Sequence, residues 1–220
     1  MNVLIFGATG MVGQGVLREC LLDTDVQSVR TVGRKVTGKQ HARLSEMELV
    51  DLHNYNGVES QLTGFNACFF CLGVSSVGMS AEEYERVTYG ITLAAAAVLY
   101  RLNPQMTFVY VSGAGTDSSE KGRSMWARVK GRTENALLRM PFRATFMFRP
   151  GAIIPLHGIQ SKTASYRILY ALVKPLLPVV KAVFPKHVLT TEEIGRAMLA
   201  VVRKGAPKPV LESPDIIAML

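Results

Sequence analysis

A chain of 220 residues that is 48% hydrophobic and 19% charged has the material for one sizeable core and a composition unlike that of disordered chains. Its net charge of +8 admits nucleic acid, an anionic membrane or a polyanionic small ligand; with no aromatic residues interleaved in a basic run, nucleic acid is disfavoured. The three cysteines, Cys20, Cys68 and Cys71, are an odd number in a chain too large to need stapling, which points to a reducing, cytoplasmic setting. No signal-peptide pattern opens the chain, so nothing directs it to secretion.

Val3 to Phe6 reads as a buried strand that delivers the chain to Gly7-Ala8-Thr9-Gly10-Met11-Val12-Gly13. The first glycine permits a tight turn, the second lets backbone approach a pyrophosphate, and the third lets the next helix pack close to the strand. Phosphates would sit on that helix's N-terminus, where unpaired N–H groups and the positive dipole end favour an anion. Gly7, Thr9, Gly10, Met11 and Val12 are thus candidate cofactor contacts. The spacing GxxGxxG is one residue longer than the dinucleotide fingerprint GxGxxG, and taken alone it also fits a surface loop.

Met11 to Leu22 reads as the first helix and Val29 to Val32 as the second strand, ending in Gly33-Arg34-Lys35. At the end of this strand an acid would bind a ribose 2′-hydroxyl and a base a 2′-phosphate. Arg34 and Lys35 have no acid beside them, which favours NADP over NAD; two solvated charges are the alternative. Met47 to Val50 is expected to be the third strand, with Asp51 and the Leu52 backbone at the adenine edge, or with Asp51 capping a helix near Asn54. Ala67 to Leu72 is a continuous apolar run, as in a strand covered on both faces. Cys68 and Cys71 fall on opposite faces of it and cannot share a metal. Gly73 would let the cofactor's ribose approach the sheet.

Ala81 to Leu102 is expected to be one helix ending at Asn103-Pro104, with Ala94 to Ala97 packed on the sheet. Thr107 to Ser112 is the fifth strand, Met125 to Arg139 a helix, and Thr145 to Phe148 the sixth strand, closed by Arg149-Pro150-Gly151. Such alternation predicts an α/β fold with one doubly wound parallel sheet, a single domain over 1–220 in which 151–190 forms a substrate or lid subregion. Ser112 ends its strand where active sites are built.

The ordered set of the glycine cradle, Gly33-Arg34, Asp51, Cys71-Leu72-Gly73, Ser112, Lys130-Gly131 and Arg149-Pro150-Gly151 resembles the short-chain dehydrogenases/reductases of the atypical or extended kind. Within these it is similar to the Tat-interacting-protein-type NADP-binding oxidoreductases. The resemblance runs from Val3 to about Lys204 and implies a Rossmann sheet of order 3-2-1-4-5-6, cofactor contacts from Leu72, Gly73, Lys130 and Pro150, and a small carboxyl-terminal portion over the nicotinamide. It also implies hydride transfer to a small carbonyl or sugar-nucleotide-like substrate.

One position departs from that family. Active members have Tyr-x-x-x-Lys after strand five, whereas this chain has Trp126-Ala127-Arg128-Val129-Lys130. Spacing i to i+4 puts both side chains on one helix face. An indole donates a hydrogen bond but exchanges no proton at neutral pH, so the usual acid/base is missing from the set Ser112, Trp126 and Lys130. Ser112, a relayed water, or a tyrosine such as Tyr84 or Tyr166 is a substitute. A catalytically weak NADPH-binding regulator is the alternative reading.

Among the four histidines, His157 lies in the expected substrate loop, with exposed loop residue as its default. No cluster has metal-ligand spacing. Residues 166–184 are apolar but interrupted by Arg167, Lys174, Lys181, Pro175 and Pro178, which opposes a spanning helix. The prolines favour a lid, a homodimer or a protein-partner contact through 163–184 over a membrane surface. Thr190 to Glu193 has the capping-box pattern and predicts a helix over Thr191 to Lys204, with Ile194, Met198 and Val201 inward. Val210 and Leu211 are expected to add an edge strand.

Overall fold

Side chains of the first strand, buried one after another, point alternately into two cores on either side of one sheet. The computed structural model describes residues 1–159 and 187–220. In β1 (Asn2–Phe6), Val3 and Ile5 enter one core and Leu4 and Phe6 the other, as expected of a strand covered on both faces. The first core packs the sheet on α1 (Met11–Leu22) and on α5 (Thr191–Lys204). The second takes Ala95, Ala96 and Leu99 from α3 (Ile91–Leu102) and Leu137 from α4 (Met125–Leu138). Cys68 belongs to the second core and Cys71 packs on the first, so the two thiols do lie on opposite sides.

Among the described residues, seven strands form the main sheet. β2 (Ser28–Gly33), β3 (Leu44–Glu48), β4 (Ala67–Phe70), β5 (Thr107–Val111), β6 (Ala144–Arg149) and β9 (Val210–Glu212) join β1 in the order 3-2-1-4-5-6-9. Every pairing is parallel. The order reverses between β1 and β4, and the crevice at the carboxyl ends of those strands is where ligands bind in open α/β sheets. β7 (Ala152–Ile154) and β8 (Val188–Thr190) make a separate parallel pair, which the sequence pattern did not reveal. A short helix α6 (Ser213–Ile217) follows β9.

Three expected boundaries are corrected. The third strand is Leu44–Glu48 rather than Met47 to Val50, and Val50 is 81% exposed: the edge strand is built from alternating polar residues, so its apolar tail was misleading. No helix begins near Asn54; Asp51 instead accepts a bond at its Oδ1 from the His53 N–H at 2.9 Å. The helix expected over Ala81 to Leu102 is interrupted: α2 (Ala81–Glu85) passes into a π-helical turn at Arg86–Gly90 before α3. At that turn His53 Cε1 lies 3.0 Å from where a Cβ on Gly90 would sit, so the wider turn is seated against the loop after β3. The capping box at Thr190 and Glu193 is present, and Ile194, Met198 and Val201 are buried. The apolar 163–184 stretch, with Tyr166, lies outside the described residues.

Candidate functional site

The glycine cradle forms because two close approaches leave no room for side chains. Gly7 has φ +76°, and a Cβ on it would lie 2.6 Å from the Leu72 nitrogen. A Cβ on Gly13 would lie 2.2 Å from the Gly7 carbonyl oxygen, so α1 starts directly beneath the turn. Gly10 N–H donates to Gly7 O at 2.9 Å, and Gly10 is the α1 N-cap with no side-chain cap and no acid in the first turn. The first N–H groups of a twelve-residue helix are thus left to an external acceptor.

Two adjoining cavities open from this cradle. One of about 720 Å³ is lined by Gly7, Thr9, Gly10, Arg34, Asp51, Leu52, Leu72 and Gly73, together with Arg86 and Val87 of the π-helical turn. The other, of about 380 Å³, is bounded by Gly7 to Thr9, Thr31 to Lys35 and Leu72. The expected cofactor residues at the ends of β1, β2 and β4 therefore converge, as do Asp51 and Leu52. Met11 and Val12 lie in the first turn of α1 below the cradle and line neither cavity. Arg86 was missed, because on a continuous helix it reads as a solvated charge.

The loop after β2 is held by Glu46. Its carboxylate accepts from Thr37 N at 2.7 Å, Gly38 N at 3.0 Å and Thr31 Oγ1 at 3.1 Å. Burial alone would raise this carboxyl, but the hydrogen bonds outweigh it and hold it below the ordinary value. Arg34 and Lys35 have no ion pair with an acid among the described residues.

Ser112, Trp126 and Lys130 form a second cluster, at the end of β5. Lys130 Nζ donates to the Ser112 carbonyl. Burial pushes the Lys130 ammonium down to about 8, against the opposing pull of Glu134 one turn along. The Ser112 hydroxyl points inward, bonded to Glu134 and 3.2 Å from the Phe148 carbonyl. Glu134 is in turn paired with Arg149, which reaches Glu212 at 3.2 Å and Ser118 at 2.5 Å. Trp126 is half-buried, its ring 3.5 Å from where a Cβ on Gly115 would sit. The Pro150 carbonyl accepts from Ala114 N at 2.9 Å, closing the loop that begins at Ser112.

Tyr84 and the histidines complete the set of proton-transfer candidates. Tyr84 is only 1% exposed, and burial raises its hydroxyl. His157, at φ +56°, bonds Glu192 at 2.9 Å beside Arg18 and Arg196, an association with α1 and α5. His187 lines a third cavity of about 530 Å³ with Ala114, Gly151, Glu212 and Ser213. Burial raises all three thiols, and among the described residues no His/Cys/Asp/Glu group could hold a metal.

Residues 3–123, more than half the chain, match the family model "NAD dependent epimerase/dehydratase family". The chain belongs to the NAD dependent epimerase/dehydratase family. It is an NAD(P)-binding, oxidoreductase-like member of it. Relatives include the mitochondrial protein FMP52-2 of Scheffersomyces stipitis, 30% identical over 70% of this chain and 66% of that protein. A mitochondrial fmp52-2 protein of Aspergillus oryzae is 25% identical over 98% of this chain and 95% of its own length. Rat HTATIP2 is 28% identical over 70% of this chain and 63% of its own. Among solved structures, UDP-glucose 4-epimerase of Thermotoga maritima has a TM-score of 0.71 at 15% identity, over 96% of this chain and 76% of that one. The Bordetella bronchiseptica enzyme WbmF in complex with NAD+ has a TM-score of 0.70 at 16% identity, over 99% and 76%. At such identities these neighbours establish the Rossmann fold alone. The relatives correct one expectation: the cytoplasmic setting inferred from the cysteines is overturned by fungal proteins that are named mitochondrial. Buried thiols stay reduced by inaccessibility, so cysteine count was a poor guide to compartment.

Proposed function

We propose that this family member is an NADP-dependent oxidoreductase that reduces a small carbonyl or sugar-nucleotide-like substrate, and that it works in mitochondria as its fungal relatives' names suggest. The observation behind the cofactor choice is the Arg34-Lys35 pair, unopposed by an acid and lining a cavity that adjoins the glycine cradle. In this reading the uncapped α1 N-terminus, with Thr9, Gly10, Met11 and Val12, takes the pyrophosphate, and the two cations take the 2′-phosphate. Asp51 and the Leu52 backbone face the adenine, Leu72 and Gly73 the ribose, and Lys130 and Pro150 the nicotinamide end. The cofactor, when bound, supplies hydride; the chain supplies orientation, water exclusion and a proton.

Calorimetry tests this. NADPH should bind more tightly than NADH, and Arg34→Ala should narrow the difference by roughly 1.5 to 3 kcal/mol, the value of a charge-assisted hydrogen bond. Equal affinities in the parent protein would overturn the NADP assignment. A second reading, a catalytically weak NADPH-binding regulator, is favoured by Trp126 at the tyrosine position and by the inward-turned Ser112 hydroxyl. It fails if the purified protein oxidises NADPH with any carbonyl of a broad panel at an ordinary turnover, on the order of 1 s⁻¹ or faster.

A further inference from the structure

Three side chains fall one turn apart on the same face of α4: Trp126, Lys130 and Glu134. The Trp126 indole N–H donates a hydrogen bond but is far too weak an acid to give up a proton near neutral pH. The Ser112 hydroxyl is committed beneath the surface, tied to Glu134, and Glu134 is itself locked to Arg149. That leaves Lys130 between them, half-buried, with its ammonium on the Ser112 carbonyl at the strand end where active sites of this topology lie. We infer that Lys130 is itself the proton donor of the reduction, in place of the tyrosine that the helix lacks, and that Ser112 and the Glu134–Arg149 pair are positioning groups that aim it.

The inference rests on the oxidoreductase reading above. When bound, the reduced nicotinamide would supply hydride to the carbonyl carbon and be oxidised. The carbonyl oxygen takes a proton from Lys130 Nζ and becomes the hydroxyl of the alcohol. Neutral Lys130 then regains a proton from water. Of the charged groups around Lys130, Glu134 faces it from its own helix and is paired with Arg149 of β6, and the Ser112 carbonyl just past β5 accepts from the ammonium; Tyr110 of β5, its hydroxyl raised by burial, lies beside Glu134. Burial therefore dominates, and an ammonium that titrates near 8 is poised to give up a proton at working pH. In the reverse oxidation the free amine would accept it.

The experiment combines NMR of protein labelled with ε-¹³C-lysine, with and without NADPH, and the pH profile of carbonyl reduction. One resonance, absent from Lys130→Met, should titrate near pH 8, well below the ordinary lysine value of about 10.4. In the parent, kcat/KM for reduction should fall tenfold per pH unit above that same midpoint. Lys130→Met should lose that limb and on the order of 10² in rate. An ordinary titration of Lys130, or a reduction profile indifferent to it, overturns the proposal. A limb in the histidine range would assign the proton to His157 or His187 and also overturn it. Failure of the oxidoreductase reading is distinct: the parent would then reduce no carbonyl at any pH, and the proposal would fall with it.

Discussion

Glu134 shows how much one side chain can decide. Its carboxylate is 1% exposed and holds Ser112 Oγ and the Arg149 guanidinium together. Removing one partner of a buried pair leaves the other charge desolvated, at about 3 to 5 kcal/mol. Glu134→Ala should cost about that much in urea unfolding, whereas Glu134→Leu combined with Arg149→Leu should cost clearly less. A single-variant loss below about 1 kcal/mol would mean that water or Glu212 compensates Arg149. The residue was not singled out from the sequence, where a glutamate in a helix reads as solvated. The available signal was its register, eight residues after Trp126 and four after Lys130. The glycine cradle was legible because its chemistry is local, with turn, close approach and helix start all within Gly7 to Gly13. The Ser112–Glu134–Arg149 set joins three elements and has no local signature.

At the scale of elements, what packing demands can override intrinsic preference. Helix α1 crosses α5 so closely that a Cβ on Gly15 would lie 2.6 Å from both the Cβ and the carbonyl oxygen of Thr191. Helix propensity alone predicts that Gly15→Ala gains about 1 kcal/mol; contact with rigid backbone predicts a net loss of about 1 to 3 kcal/mol. Contact should win, and denaturant unfolding of the variant would reveal it as a lowered midpoint. Gly195→Ala should be costly as well, since a Cβ there would lie 2.7 and 2.9 Å from Glu19 Cγ and Cβ, at the root of that side chain, and 3.2 Å from the Val16 Cα. The same conflict explains where sequence reading succeeded. Helices with caps and amphipathic faces, such as Thr191–Lys204, were placed to the residue. The polar edge strand Leu44–Glu48, the π-helical turn and the β7–β8 pair depend on long-range pairing or on a local widening of the helix that no periodicity announces.

For the molecule as a whole, the cradle, the β2 loop and the β4 end belong to one parallel sheet whose strands pair continuously from β3 to β9. A ligand that bridges these strand ends binds only when the sheet is assembled, so it should stabilise the folded state by mass action. At a free NADPH concentration of 100 Kd the gain is about 2.7 kcal/mol. For a chain of this length each kcal/mol raises Tm by roughly 2 to 4 °C, giving an expected upward shift of roughly 5 to 11 °C. Gly13→Ala tests whether the shift arises from the cradle. A Cβ there meets the Gly7 carbonyl oxygen at 2.2 Å and must displace either the turn or α1, so the variant should lose most of the NADPH-induced shift even at concentrations that saturate the parent. The comparison is made within each variant, with and without cofactor, so a lower starting Tm does not confound it. If Gly13→Ala kept the full shift, the stabilising contacts would lie away from the α1 N-terminus. The pyrophosphate assignment would then have to move to another part of the 720 Å³ cavity, where Arg86 is also a lining cation.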